Sequence, residues 1–209
     1  YTQVSARYFH TCGLTPQGAV DCWGINDQPT YAEFNFGQAD DHPGPYIQVS
    51  AGYLHTCALT PQGAVDCWGP TDGSSVDAGQ ADSQAGPYTQ ISAGYFHTCG
   101  LTPQGDVDCW GAEGSYFNIG QAVDQTGPFT QVSASYYHTC ALRADGSLHC
   151  WGYNSNSQVV DQPGPYIQVS AGLQQTCALR MDGNVDCWGK ENEGETISQE
   201  DGPYLQISA

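Results

Sequence analysis

Apolar and polar residues alternate in short bursts along this chain, and the bursts recur. In residues 45–69, Ile47, Val49 and Ala51 alternate with Gln48 and Ser50, the two-residue period of a half-buried strand. Two more β-rich runs, 55–60 and 64–69, flank Pro61-Gln62-Gly63. Proline presets φ at the first turn position and glycine takes the left-handed one, so the triplet predicts a three-residue hairpin loop. The same logic recurs at Pro16-Gln17-Gly18, Pro103-Gln104-Gly105, Ala144-Asp145-Gly146 and Met181-Asp182-Gly183. A strand of the form Tyr-x-Gln-[Val/Ile]-Ser-Ala precedes each hairpin, with copies starting at Tyr1, Tyr46, Tyr88, Phe129 and Tyr166, and a surplus sixth copy starts at Tyr204.

Loop length fixes the register. If Thr60 faces Ala64, then Leu59 faces Val65 and Cys57 faces Cys67. Opposed residues of an antiparallel pair lie about 4.5–5.5 Å apart at Cα, within or close to disulfide range. The ten cysteines are thereby predicted to pair as Cys12–Cys22, Cys57–Cys67, Cys99–Cys109, Cys140–Cys150 and Cys177–Cys187. Closing a loop of about ten residues stabilises by roughly 2.5–3 kcal/mol in the chain-entropy model. Cys57, Leu59, Val65 and Cys67 share one face, and Thr56, Ala58, Asp66 and Trp68 the other. Both faces carry apolar groups, so neighbouring units must stack, with Trp23, Trp68, Trp110, Trp151 and Trp188 packed against the Leu/Val/Cys face of the next unit. Stacking of roughly forty-residue repeats gives a propeller if radial and a solenoid if linear. The expectation is one all-β repeat domain over 1–209, with units at about 1–44, 45–86, 87–127, 128–164 and 165–202 and the surplus strand at 203–209.

The run Val-Ser-Ala-Gly-x-x-His-Thr-Cys-Ala-Leu…Gly-x-Val-x-Cys-Trp-Gly, followed by Gly-Gln, resembles the RCC1-type repeat (regulator of chromosome condensation). It is most similar to secreted bacterial versions with short blades, of the β-lactamase inhibitory protein II type. The resemblance covers nearly the whole chain and implies an RCC1-like β-propeller. Such relatives usually have seven blades. Here the spacing from His10 to His55, His97, His138 and Gln175 shrinks from 45 to 37 residues over five units.

Composition narrows the function. With 22 acidic residues against four basic ones, the net charge is −18, which argues against nucleic-acid binding and against the chromatin role of the eukaryotic relatives. No apolar run is long enough to span a membrane. Paired cysteines in every unit point to an oxidising, secreted or cell-surface setting. Tyr1 opens inside a repeat, so the sequence is expected to be a mature or excised segment.

Zinc is a competing reading of His55, Cys57 and Cys67. Gln175 stands at the histidine position of the fifth unit while Cys177 and Cys187 remain, so the cysteines do not need the histidine, and His10, His55, His97 and His138 are expected to be buried structural residues. No catalytic motif stands out, and a non-enzyme is expected. Variable segments after each Trp-Gly carry the candidate contacts. Tyr31, Phe34, Phe36, Tyr116, Phe117 and Tyr153 form a candidate binding rim. Loop carboxylates Asp40, Asp41, Asp72, Asp77 and Asp82 are the calcium candidates, calcium being the sole cofactor suggested. Gln-x-x-Asp recurs at Gln38–Asp41, Gln121–Asp124 and Gln158–Asp161, where a loop-capping role is expected. The surplus strand, Tyr204, Leu205, Gln206, Ile207 and Ser208, is a candidate for strand addition to a second molecule. The expected role is an extracellular interaction or structural module, adhesive or filament-forming, acting through protein partners or self-association. The alternatives are a lectin-like propeller and an inhibitor of a secreted enzyme.

Overall fold

A computed structural model describes residues 1–25, 33–112, 118–190 and 202–209. Its fifteen strands form five antiparallel three-stranded sheets, each of three consecutive strands. They are β1 (Gln3–Ala6), β2 (His10–Leu14) and β3 (Val20–Gly24); β4 (Gln48–Ala51), β5 (Thr56–Leu59) and β6 (Val65–Trp68); β7 (Gln90–Ala93), β8 (His97–Leu101) and β9 (Val107–Gly111); β10 (Phe129–Ala134), β11 (His138–Arg143) and β12 (Leu148–Gly152); β13 (Tyr166–Ala171), β14 (Gln175–Arg180) and β15 (Val185–Gly189).

The hairpin register is the one the loop length dictates. Leu59 faces Val65, Cys57 faces Cys67 and Thr56 faces Trp68, while Thr60 N–H donates to the Ala64 carbonyl at 2.8 Å. All five disulfides form within units, with Cα atoms 4.1 Å apart, slightly closer than the sequence suggests. The thiolates that zinc would need are therefore absent. The first strand departs from simple alternation. A bulge after Phe129 and after Tyr166 inserts one extra residue, which turns Ile167 out to solvent while Val169 stays buried. Ile47 is likewise exposed although Val49 and Ala51 are buried.

Units stack face to face. Cys12, Leu14 and Val20 of the first unit meet Val49, Ala58 and Trp68 of the second, and Cys57, Leu59 and Val65 meet Ile91 and Trp110 of the third. Trp68, Trp110, Trp151 and Trp188 thus each cover the preceding unit in chain order, not the next. The two ends of the stack differ. Val4 and Trp23 are exposed on the first unit, while Cys177, Leu179 and Val185 of the fifth are met by Ile207. The array is curved and propeller-like, since all five units contribute to one axial cavity.

Side chains, not a continuous sheet, join the units. Gln3 Nε2 donates to the Val49 carbonyl and its Oε1 accepts the Val49 N–H, both at 3.0 Å; Ser5 Oγ accepts the Ala51 N–H at 2.9 Å. Gln48 and Ser50 do the same for Ile91 and Ala93, and the ladder continues to Gln168 and Ser170, which hold Ile207 and Ala209. It satisfies edge groups that would otherwise invite foreign strands. The outer edges are capped by the loops: Asp41, Asp124 and Asp161 accept the N–H groups of Cys22, Cys109 and Cys150, and Ser83 Oγ takes this place at Cys67.

Candidate functional site

The turn between the first two strands of each unit points to the axis. Its residues are Tyr8, Tyr53, Tyr95, Tyr136 and Leu173, one repeat position. The rings form a ladder, with centroids 5.5 Å apart for Tyr8–Tyr53, 3.8 Å for Tyr53–Tyr95 and 3.7 Å for Tyr95–Tyr136. Beside them lies a cavity of about 440 Å³, into which Arg7 and Tyr137 also face. A second cavity of about 410 Å³ lies between Tyr95, Tyr136, Tyr137, Ile119 and Tyr153. Volumes of this size are typical of small-ligand and side-chain pockets.

Buried polar links hold these turns in place. His55 Nε2 lies 2.8 Å from Thr98 Oγ1, and that hydroxyl donates to the Gln80 carbonyl at 2.9 Å. Its proton being committed there, Thr98 accepts from the ring, which fixes His55 as the Nε2–H tautomer. His10–Thr56–Gln38, His97–Thr139–Gln121 and His138–Thr176–Gln158 repeat the relay. Burial pushes His10 and His138 down to about 4 and His55 and His97 to about 3, so all four are neutral near pH 7. The fully buried Gln38, Gln80, Gln121 and Gln158 close their own loops; Gln38 accepts the Phe36 N–H and donates to the Phe34 carbonyl.

Burial, reinforced by hydrogen bonds within the cluster, also raises the Tyr95 phenol above its ordinary range. Tyr136 is pushed up to about 12, mainly by burial. Tyr95 and Tyr136 are therefore uncharged at physiological pH, and the ladder offers ring faces and hydroxyls beside the Arg7 guanidinium.

The expected rim is only partly on view. Tyr31, Tyr116 and Phe117 lie outside the described residues. Phe34 stacks on Phe9 at 5.4 Å, and Tyr153 lies 5.6 Å from Tyr137, so both extend the axial aromatic cluster. Phe36 is half-buried in its own loop. Among the calcium candidates, Asp41 caps Cys22, Asp72 accepts the Ser74 N–H, and Asp77 accepts those of Gly73 and Gly79. Asp40 and Asp82 engage the same loops, their N–H groups donating to Gly37 and Gly79. Among the described residues no group of three or more metal-ligating side chains occurs. The surplus segment runs along the fifth unit, with Tyr204 N–H donating to the Gly183 carbonyl at 2.9 Å and Leu205 exposed.

The family model for the regulator of chromosome condensation (RCC1) repeat matches residues 1–28, 46–74, 88–116, 129–158 and 166–195, well over half the chain. The chain belongs to the RCC1 repeat family. No curated protein matches it by sequence. Solved structures resemble it in fold: the CRINKLY WD40 ectodomain of the receptor kinase ACR4 from Arabidopsis thaliana (24% identity, TM-score 0.69, covering 93% of this chain and 65% of that one), human WBSCR16 (21%, 0.68, 93% and 63%), and yeast RCC1 (Prp20) bound to Kap60 (17%, 0.66, 90% and 55%). These likenesses establish the fold, and this chain spans less than two thirds of each. In RCC1-repeat terms the axial tyrosines are the first variable residue of Ala-Gly-x-x-His. That signal was available in the sequence, since four of its five occupants are Tyr.

Proposed function

We propose that this RCC1-repeat chain is a non-enzymatic extracellular interaction module whose contact surface is the axial aromatic end. The observation that carries the reading is the tyrosine ladder with Phe9, Phe34 and Tyr153 around it. Tyr8 is 79% exposed and Tyr153 41%, so a polar-tipped aromatic surface is presented on a disulfide-braced frame. Tyrosine-rich surfaces give large contact area at small entropic cost, and aromatic residues are enriched in interfaces. Five disulfides favour an oxidising compartment, and the plant neighbour is itself an ectodomain. The test is capture of secreted and surface proteins of the source organism by wild-type chain and by Tyr8→Ala and Tyr153→Ala. A specific partner lost by both variants supports the reading; a partner retained by both moves the contact surface elsewhere. A glycan array distinguishes the lectin-like alternative, with Tyr31, Phe34 and Tyr116 as its sites to test, and an inhibition assay the third.

A second reading is self-assembly, favoured by the two dissimilar ends. Gln206 and Ser208 stand at the ladder positions that elsewhere hold the next unit, and Val4 is the matching exposed position on the first strand. Tyr204 to Ser208 could then serve as the strand shared between copies. Deleting 203–209 should abolish any ordered assembly seen by light scattering and negative-stain imaging; unchanged assembly sinks the idea.

A further inference from the structure

Arg7 occupies the residue before the axial position in the first unit, where Gly52, Gly94, Ser135 and Gly172 stand in the others. Those four are too small to reach the axis; at Gly52 a Cβ would already collide with the His55 ring. Arg7 instead crosses it. Its Nη2 donates to the Ala134 carbonyl of the fourth unit at 3.3 Å. Arg180, by contrast, is paired with Asp186 and lies over Tyr166, and Arg143 lies over Phe129. Among the described residues no carboxylate lies within ion-pair distance of Arg7, although the chain carries 22 of them. A planar guanidinium offers five N–H donors in a fork matched to carboxylate, and one neutral carbonyl leaves most of that capacity open. The fork faces the 440 Å³ cavity, between the rings of Tyr8, Tyr53, Tyr95 and Tyr136 and the side chain of Leu173.

We propose that the axial cavity binds a small ring-bearing monocarboxylate, its carboxylate on Arg7 and its ring against the tyrosine ladder. The net charge selects the size of this ligand. A polyanion or a strongly acidic protein is repelled by a body carrying −18, whereas a single carboxylate inside the cavity lies close to Arg7, with the distant surface charges screened beyond about 8 Å at physiological ionic strength. The ring can be aromatic or a sugar, since both stack on tyrosine faces. The inference rests on the axial end being a binding surface.

The experiment is titration of the full chain, by calorimetry or NMR, with phenylacetate and glucuronate, each beside its uncharged counterpart, 2-phenylethanol and glucose. The expected result is saturable binding of at least one acid, at least tenfold tighter than its counterpart, weakened by added salt, lost in Arg7→Gln and partly kept in Arg7→Lys. Phenylacetate alone assigns an aromatic acid, and glucuronate alone a sugar acid. No saturable binding of either acid, equal binding of the neutral counterparts, or unchanged binding in Arg7→Gln overturns the proposal. Should Arg7→Gln fail to fold by thermal melting, the acid-against-neutral comparison and Tyr53→Ala decide in the same sense. Loss of a protein partner in Tyr8→Ala with no carboxylate binding to wild type leaves the contact surface standing and removes this ligand alone.

Discussion

The four buried histidines are the most consequential single residues of the fold. Each is neutral because burial depresses its folded pKa to about 3–4, whereas the unfolded value is about 6.5. Below the unfolded value the unfolded chain binds more protons, so stability falls as pH drops from about 6.5 towards 3–4 and is level above about 7 on this account. Each histidine contributes on the order of 3 kcal/mol to that loss. The check is thermal melting from pH 7.5 to 4, in which His55→Gln flattens the slope. The choice imitates Gln175, which stands at the histidine position of the fifth unit. Thr98→Val removes the middle of a relay and strands both the ring N–H and the Gln80 carbonyl, a cost of about 2–4 kcal/mol readable in a denaturant melt at pH 7. The histidines' burial was legible from the sequence, since their repeat position tolerates glutamine beside intact cysteines. Their partners were not, because Thr56, Thr98, Thr139 and Thr176 belong to the following unit and no local pattern connects them.

At the scale of the element, each unit is a hairpin fixed by its loop, a disulfide and a first strand held by its neighbour. Reducing the disulfides one at a time, as Cys57→Ser with Cys67→Ser, should cost about 2–3 kcal/mol, measured as a shift of the denaturant midpoint. Gly86 carries φ +72° and a Cβ there would strike the Gly63 carbonyl, the acceptor of the Tyr88 N–H. Gly86→Ala should therefore destabilise by about 2 kcal/mol or more, far beyond an ordinary surface change. Strand alternation placed Gln48 and Ser50 on the polar side, which is correct as chemistry and incomplete as geometry. Their amide and hydroxyl cap the backbone of the next unit, so Gln48→Ala with Ser50→Ala should cost about 2 kcal/mol together, although alternation alone predicts solvent-facing positions and almost no loss. The bulges are a similar case. Inserting one residue re-phases a strand, as beside Ile167 after Tyr166, and alternation read from the sequence does not show it.

Across the whole molecule, stability comes from contacts between consecutive units, and the ends are where that regularity stops. Trp68 covers the first unit's Cys12–Val20 face while the equivalent Trp23 is 42% exposed. Trp68→Ala should cost about 3–5 kcal/mol and Trp23→Ala less than about 1 kcal/mol; equal losses in guanidinium melts would show that the Trp23 face is covered after all. The sequence by itself determined the repeat, the hairpin register, the five disulfides and the alternation that demands stacked neighbours, because each is set by contacts within some fifteen residues. Tertiary structure alone decided which face meets which neighbour, how Gln and Ser stitch one unit to the next, and that four tyrosines about forty residues apart come together with Arg7 at one axis. Those features depend on the angle at which successive units stack, a quantity that no single unit's pattern of residues contains.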